Sequence, residues 1–171
     1  LIQTANSTSR SVLLSTEGNY RFIHGGDIKI YENMDVLPPA FIVHQTNIVT
    51  NTSAALNTLR QPSFIATNTI VRLAKDGENP DLITLGETPK SPETVIIDSY
   101  TPEKIDLTAT LESPGWLVLM DTHYPGWQAE VDGKPVEIQE VNLMFRAIEV
   151  PAGEHQVRFV YRPWSFRVGG W

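Results

Sequence analysis

Asp121 and His123 stand two residues apart at the end of an apolar run, a pairing of types and place suited to acid–base work or to a metal ligand. Tyr124, Trp127 and Arg146 extend the set with groups that bind rather than react, because a flat aromatic ring can stack on a sugar. A metal site needs three or four convergent ligands. His24, His44 and His155 are scattered, no His-x-x-x-His pattern occurs, and the chain has no cysteine, so we expect no metal. A serine hydrolase needs a strained nucleophile turn such as Gly-x-Ser-x-Gly, and the sequence has none. Gly25-Gly26 lacks the helix and lysine of a phosphate loop. The expectation is therefore no catalytic residue and no cofactor, with Asp121, His123, Tyr124, Trp127 and Arg146 as ligand-binding candidates. At the start of its loop, Asp121 is expected to accept backbone N–H groups. Trp116 and Trp127 read first as core residues of a β-fold, with a sugar platform as the alternative.

The elements that position these residues are legible from turns and alternation. Tyr124-Pro125-Gly126-Trp127 reads as a type II turn, since proline presets φ at its second position and glycine accepts positive φ at its third. Asp132-Gly133 reads as a two-residue hairpin turn. Ile105, Leu107, Ala109 and Leu111 alternate with polar residues. Residues 116–120 are apolar on both faces, which marks a central strand. Further strands follow at 127–131, 136–138, 143–150 and 157–161, with Pro151-Ala152-Gly153 turning between the last two. Strands at this spacing predict a mainly β fold, a two-sheet antiparallel β-sandwich of jelly-roll or Ig-like type.

Upstream, Tyr20–His24 and Ile28–Glu32 flank Gly25-Gly26-Asp27 as a hairpin. Residues 40–43 and 69–73 are extended, and Thr52 or Ser53 caps a short helix that Pro62 ends. The breakers Gly77, Pro80, Gly86, Pro89 and Pro92 mark a connector. The expected organisation is an α+β unit at 1–75, a connector at 76–92, the sandwich at 93–163 and an exit segment at 164–171.

Composition narrows the functions. A net charge of −7 argues against nucleic acid as a partner. Four arginines after residue 140 (Arg146, Arg158, Arg162, Arg167) against Glu149 and Glu154 give that part +2, leaving −9 for the rest. These arginines are expected on solvent faces. No apolar run approaches the roughly 20 residues that span a bilayer. The chain opens at Leu1 without methionine and stops at Trp171, as an excised piece would. The tail mixes Arg162, Trp164, Phe166, Arg167 and Trp171, a combination at home near a membrane–water interface and equally in a C-terminal segment folded over the rim of the sandwich.

Tyr124-Pro-Gly-Trp127, Val131-Asp-Gly133, Phe145-Arg-Ala147, Val150-Pro-Ala-Gly-Glu-His155 and Phe159-Val-Tyr-Arg-Pro163 resemble, in order, the C-terminal portion of the YfhO family of multi-pass bacterial membrane proteins. Ile30-Tyr-Glu-Asn33 and Leu37-Pro-Pro-Ala-Phe41 resemble that family's upstream signature. The resemblance covers residues 20–168 and is densest over the last fifty. It implies an extracytoplasmic β domain that follows many transmembrane helices and precedes a last one. It also implies a glycosyltransferase-like parent that uses polyprenyl-phosphate sugars on cell-envelope polymers, with its catalytic carboxylates outside this segment. Pro39 stands where the family usually has arginine, and His123 where an aromatic is common. The expected function is a non-catalytic extracytoplasmic domain that assists the handling of glycan or lipid-linked sugar, anchored to the membrane by its parent's helices. The alternatives are a freestanding secreted carbohydrate-binding or adhesion module, and a small hydrolase using Asp121 and His123.

Overall fold

Strands dominate the computed structural model, which describes residues 2–4, 19–80, 83–85 and 89–163. The chain divides into two compact units, Leu1–Leu37 and Pro38–Trp171. The first holds β1 (Ile2–Thr4), β2 (Tyr20–His24) and β3 (Ile28–Asn33) in an antiparallel sheet ordered β1-β3-β2. The expected hairpin is β2–β3, with Arg21 paired to Glu32 at 2.5 Å across it.

The second unit contains β4 (Ala40–Val43), β5 (Gln45–Val49), α1 (Thr52–Leu59), β6 (Thr69–Leu73), β7 (Ile83–Leu85), β8 (Thr94–Tyr100), β9 (Lys104–Leu111), β10 (Gly115–Thr122), β11 (Trp127–Val131), β12 (Lys134–Val136), β13 (Gln139–Val141), β14 (Phe145–Val150) and β15 (Gly153–Tyr161). Two antiparallel sheets form the sandwich, one ordered β12-β11-β15-β9-β8 and the other β13-β14-β10-β4. Their facing sides meet through Ile105, Leu107 and Ala109 of β9, Val157 and Phe159 of β15, Leu117 and Leu119 of β10, and Ile148 and Val150 of β14. The period of two is what selects these residues. β10, apolar on both faces, lies between β14 and β4 as a central strand should.

The second face of β10 needs its own cover, and a small third layer supplies it. β5, α1 and β6 form a β-α-β unit whose two strands run parallel, with β7 antiparallel on the other side of β5. Ile70 of β6 packs with Phe41, Val43, Val118, Val141 and Ala147 on that second face. Asn51, one residue before the expected cap, caps α1 by accepting from Ala54 N at 2.9 Å. Since β4 hydrogen-bonds β10, residues 40–43 are a strand of the sandwich. The compact boundary therefore falls at residue 37, upstream of the connector expected at 76–92.

Asn142 fastens the third layer. Its Oδ1 accepts from Val71 N at 2.8 Å and its own N–H donates to Val71 O at 2.7 Å. Asn142 and Leu143 both have positive φ (51° and 66°) and turn the chain between β13 and β14. The strand expected from 143 therefore starts at Phe145. Leu143 tolerates the left-handed conformation because its side chain packs on Val49, Ala55 and Val71. Asn142→Ala strands the buried Val71 N–H and should cost about 1–3 kcal/mol in urea denaturation.

The Asp132-Gly133 turn joins β11 to β12, with φ of 52° and 75°. Asp132 accepts from Gln156 N at 2.9 Å and lies 2.7 Å from His155 Nδ1. That contact raises the His155 pKa above its ordinary 6.5 and lowers that of Asp132 below 3.8. A raised histidine stabilises fully below its ordinary pKa and loses its contribution as pH climbs through the folded value. A lowered aspartate contributes above its ordinary pKa and loses it as pH falls. The pair thus contributes most between about pH 4 and 6.5. Urea midpoints at about pH 5.5 and 8.5 should show stability falling toward the alkaline side, and His155→Gln should shrink that difference.

Candidate functional site

One end of the sandwich interior is not apolar. Arg146 shares the inner face of β14 with Ile148 and Val150, yet only 2 % of it is exposed. By the same alternation Asp121 follows Leu117 and Leu119 on β10, Trp127 precedes Ala129 and Val131 on β11, and Tyr161 follows Phe159 on β15. Irregularities bring in the rest. The β8–β9 register shifts between Ile97 and Ser99, so that Tyr100 lies opposite Ile105. The β10–β14 register shifts between Leu119 and Thr122.

Around Arg146 the contacts are specific. Its Nη2 donates to Asp121 Oδ2 at 2.7 Å, and its guanidinium carbon sits 3.8 Å from the centre of the Trp127 ring and 5.8 Å from that of Phe159. The Tyr100 hydroxyl donates to both oxygens of Asp121, at 3.0 and 2.9 Å. Burial pushes the Arg146 pKa down from its ordinary value against the pull of Asp121. The bond to Asp121 pushes that of Tyr100 up. Tyr124, Trp127 and Tyr161 pack as a triangle of rings with centroids 5.3–6.1 Å apart. Arg146 Nε and Nη1 and Trp127 Nε1 are buried with no hydrogen-bond partner among the described residues. A cleft of about 260 Å³ opens here, lined by Tyr100, Asp121, Thr122, Tyr124, Trp127 and Arg146 among others.

The Tyr-Pro-Gly-Trp turn closes this end. Gly126 has φ 107°, and an added Cβ would come within 2.7 Å of the Tyr161 ring and 3.2 Å of Pro163 Cα. Its carbonyl accepts from Arg162 N at 2.7 Å. Only glycine meets both the conformation and the close approach.

Of the residues singled out by sequence, Asp121, Tyr124, Trp127 and Arg146 converge. His123 does not join them: its backbone N–H donates to Met144 O at 2.6 Å and its buried Nδ1 has no partner among the described residues. The partners found for Asp121 are the side chains of Tyr100 and Arg146, in place of the expected backbone N–H groups. Arg146 is buried, against the expectation of a solvent-facing arginine. Arg158 does lie on the surface, 2.7 Å from Asp106, and Arg162 is exposed. Trp164, Phe166, Arg167 and Trp171 lie outside the described residues. Sequence reading missed Tyr100, because a register shift sets its face. For Arg146 the signal was present, since it has the parity of Ile148 and Val150.

A second arrangement has the look of a catalytic triad. His44 Nε2 lies 2.7 Å from Glu93 Oε2, and Ser113 Oγ lies 3.5 Å from His44 Nδ1. Nδ1 is closer to the Pro114 carbonyl, at 3.1 Å, and a carbonyl can only accept. A ring hydrogen therefore sits on Nδ1, which leaves no lone pair there to take a proton from Ser113. The group ties the end of β4 to the loop before β10. Among the described residues no group of three or more metal-ligating side chains converges.

Residues 89–170 match the model of the family described as bacterial membrane protein YfhO, a stretch that contains every residue of the Arg146 cleft. No curated protein and no solved structure matches the chain.

Two substitutions separate the roles in the cleft. Asp121→Ala leaves a buried guanidinium without its anion and should cost about 3–5 kcal/mol, whereas Arg146→Met keeps the packing and should cost no more than about 1 kcal/mol in denaturant titration. Trp127→Ala removes the ring under Arg146 and its packing on the core, with an expected loss of about 3–5 kcal/mol.

Proposed function

We propose that the chain, whose residues 89–170 match the model of the family described as bacterial membrane protein YfhO, is a non-catalytic extracytoplasmic domain of a YfhO-type protein that contacts glycan or lipid-linked sugar through the Arg146 cleft. The observation that carries the proposal is the set of donors without a partner among the described residues, Arg146 Nε and Nη1 and Trp127 Nε1, buried beside the Asp121 carboxylate and a wall of aromatic rings. Donors without partners suit the hydroxyl and ring oxygens of a sugar. Asp121 suits its hydroxyl hydrogens, and the rings suit its C–H faces.

The same geometry speaks against hydrolysis. Cleaving a glycoside takes two carboxylates flanking the bond. Among the residues lining this cleft only Asp121 is acidic, and Arg146 and Tyr100 already hold it. Among the described residues no helix is long and apolar enough to cross a membrane. In this reading the parent's helices hold the domain at the membrane surface, and catalysis belongs to other parts of the parent.

Titration with cell-envelope glycans, followed by NMR, should shift the Trp127 indole N–H and the backbone amides of residues 121–127. Tyr124→Ala should weaken binding about tenfold, as loss of an aromatic anchor does. A panel that moves none of these signals removes the glycan reading. The face of the membrane has a separate readout, because the chain has no cysteine. Thr101→Cys in the membrane-embedded parent should react with an impermeant thiol reagent in intact cells. Protection there with reaction after lysis would place the domain on the other side.

A further inference from the structure

A cavity larger than the Arg146 cleft, about 790 Å³, lies elsewhere: in the seam where the third layer stops covering the β13-β14-β10-β4 sheet. The apolar cover ends with Val43, Ile70, Val118, Val141 and Ala147. Beyond it the sheet presents Trp116 and Glu149, which face each other directly across β10 and β14, with Gln139 on β13. Thr46 and Arg72 of the third layer form the opposite wall.

The charges in this groove cancel in pairs, with one exception. Arg72 grips Glu78 with two bonds, at 2.6 and 2.8 Å, and Lys75 grips Glu137 with two, at 2.9 and 2.8 Å. His44 is turned to Glu93. Glu149 is exposed and makes no ion pair or hydrogen bond among the described residues, so it leaves the groove one negative charge in excess. It stands on the same sheet face as the partly exposed Trp116 ring, at the few-ångström spacing of a directly opposed strand pair.

A carboxylate beside an indole face is the recognition chemistry of an organic cation, with one group supplying the counter-charge and the other a π surface. A phosphate or carboxylate meets the opposite sign, because Glu78 holds Arg72 and Glu137 holds Lys75, leaving only the buried Arg72 Nε without a partner among the described residues. We propose that this groove is a second binding site, independent of the Arg146 cleft, that takes an organic ammonium group against Glu149 and Trp116. The ammonium comes either from a small amine or from a lysine side chain of another protein.

The test uses the full 171-residue chain and three ring ligands of one size: cyclohexylamine, cyclohexanol and cyclohexanecarboxylate. Cyclohexylamine should shift the Trp116 indole N–H and the Gln139 side-chain amide saturably. The alcohol should bind about tenfold more weakly, and the carboxylate should leave these signals in place. Glu149→Gln should weaken amine binding about two- to fivefold while leaving the Trp127 indole signal unmoved. Nα-acetyl-lysine methylamide separates the sources: tighter binding than cyclohexylamine assigns the groove to a protein side chain, and weaker binding to a small amine. Equal binding of amine and alcohol, an unchanged Glu149→Gln variant, or a Trp116 signal that no amine moves would each overturn the proposal. None of these failures touches the Arg146 cleft.

Discussion

A guanidinium taken almost wholly out of water has to be compensated inside the protein, and the end of the sandwich is arranged around that requirement. Moving such an ion into the interior costs several kcal/mol even after relaxation. Asp121 returns part of that through a charged hydrogen bond at 2.7 Å, and the Trp127 ring at 3.8 Å returns more as a π surface. Tyr100 then holds the carboxylate from the opposite sheet. Arg146 and Asp121 belong to one sheet, and Trp127, Tyr100 and Phe159 to the other, so the arginine couples the two layers where their apolar contact ends. Among the described residues the compensation is incomplete, since Nε and Nη1 have no partner there. A methionine there would pack without that deficit, so the arginine adds little net stability.

Elsewhere the architecture is set by how apolar surface is covered. β10 is buried on both sides, which forces a third layer over a sheet that a simple sandwich would leave wet. The β-α-β unit covers most of that sheet and stops short at Trp116 and Glu149. Both concave sites thus lie at margins of the core, one where the inner faces turn polar and one where the outer cover ends. Gly115 shows how closely the second margin is fitted: an added Cβ would come within 2.8 Å of the His44 ring.

Period and turn chemistry make much of the sandwich legible in the sequence. The alternation at 105–111, the two-faced apolar run at 116–120, and the Pro-Gly and Asp-Gly turns all carry through, because each is a local rule with a local cause. What did not read were features set by distant partners. Residues 40–43 look the same whether they join an N-terminal unit or pair with β10. The parallel alignment of β5 and β6 leaves no mark on either strand. Asn142-Leu143 does not look like a turn, since leucine rarely adopts positive φ and does so here only with tertiary packing in support. The site was legible in part. Asp121, Tyr124, Trp127 and Arg146 were recognisable by type, His123 was not a member, and Tyr100 entered through a register shift no sequence pattern displays.

The Nε–H signal of Arg146 tests the central claim most directly, since it reports the burial of the guanidinium, its aromatic neighbour and its free donor together. In 15N-labelled protein we expect a resolved signal, slow to exchange with water and shifted upfield by the Trp127 ring, that moves when a glycan ligand is added. A signal that exchanges as fast as that of a surface arginine, or one that keeps its position in Trp127→Leu, would contradict the account of a buried, ring-stacked guanidinium facing a binding cleft.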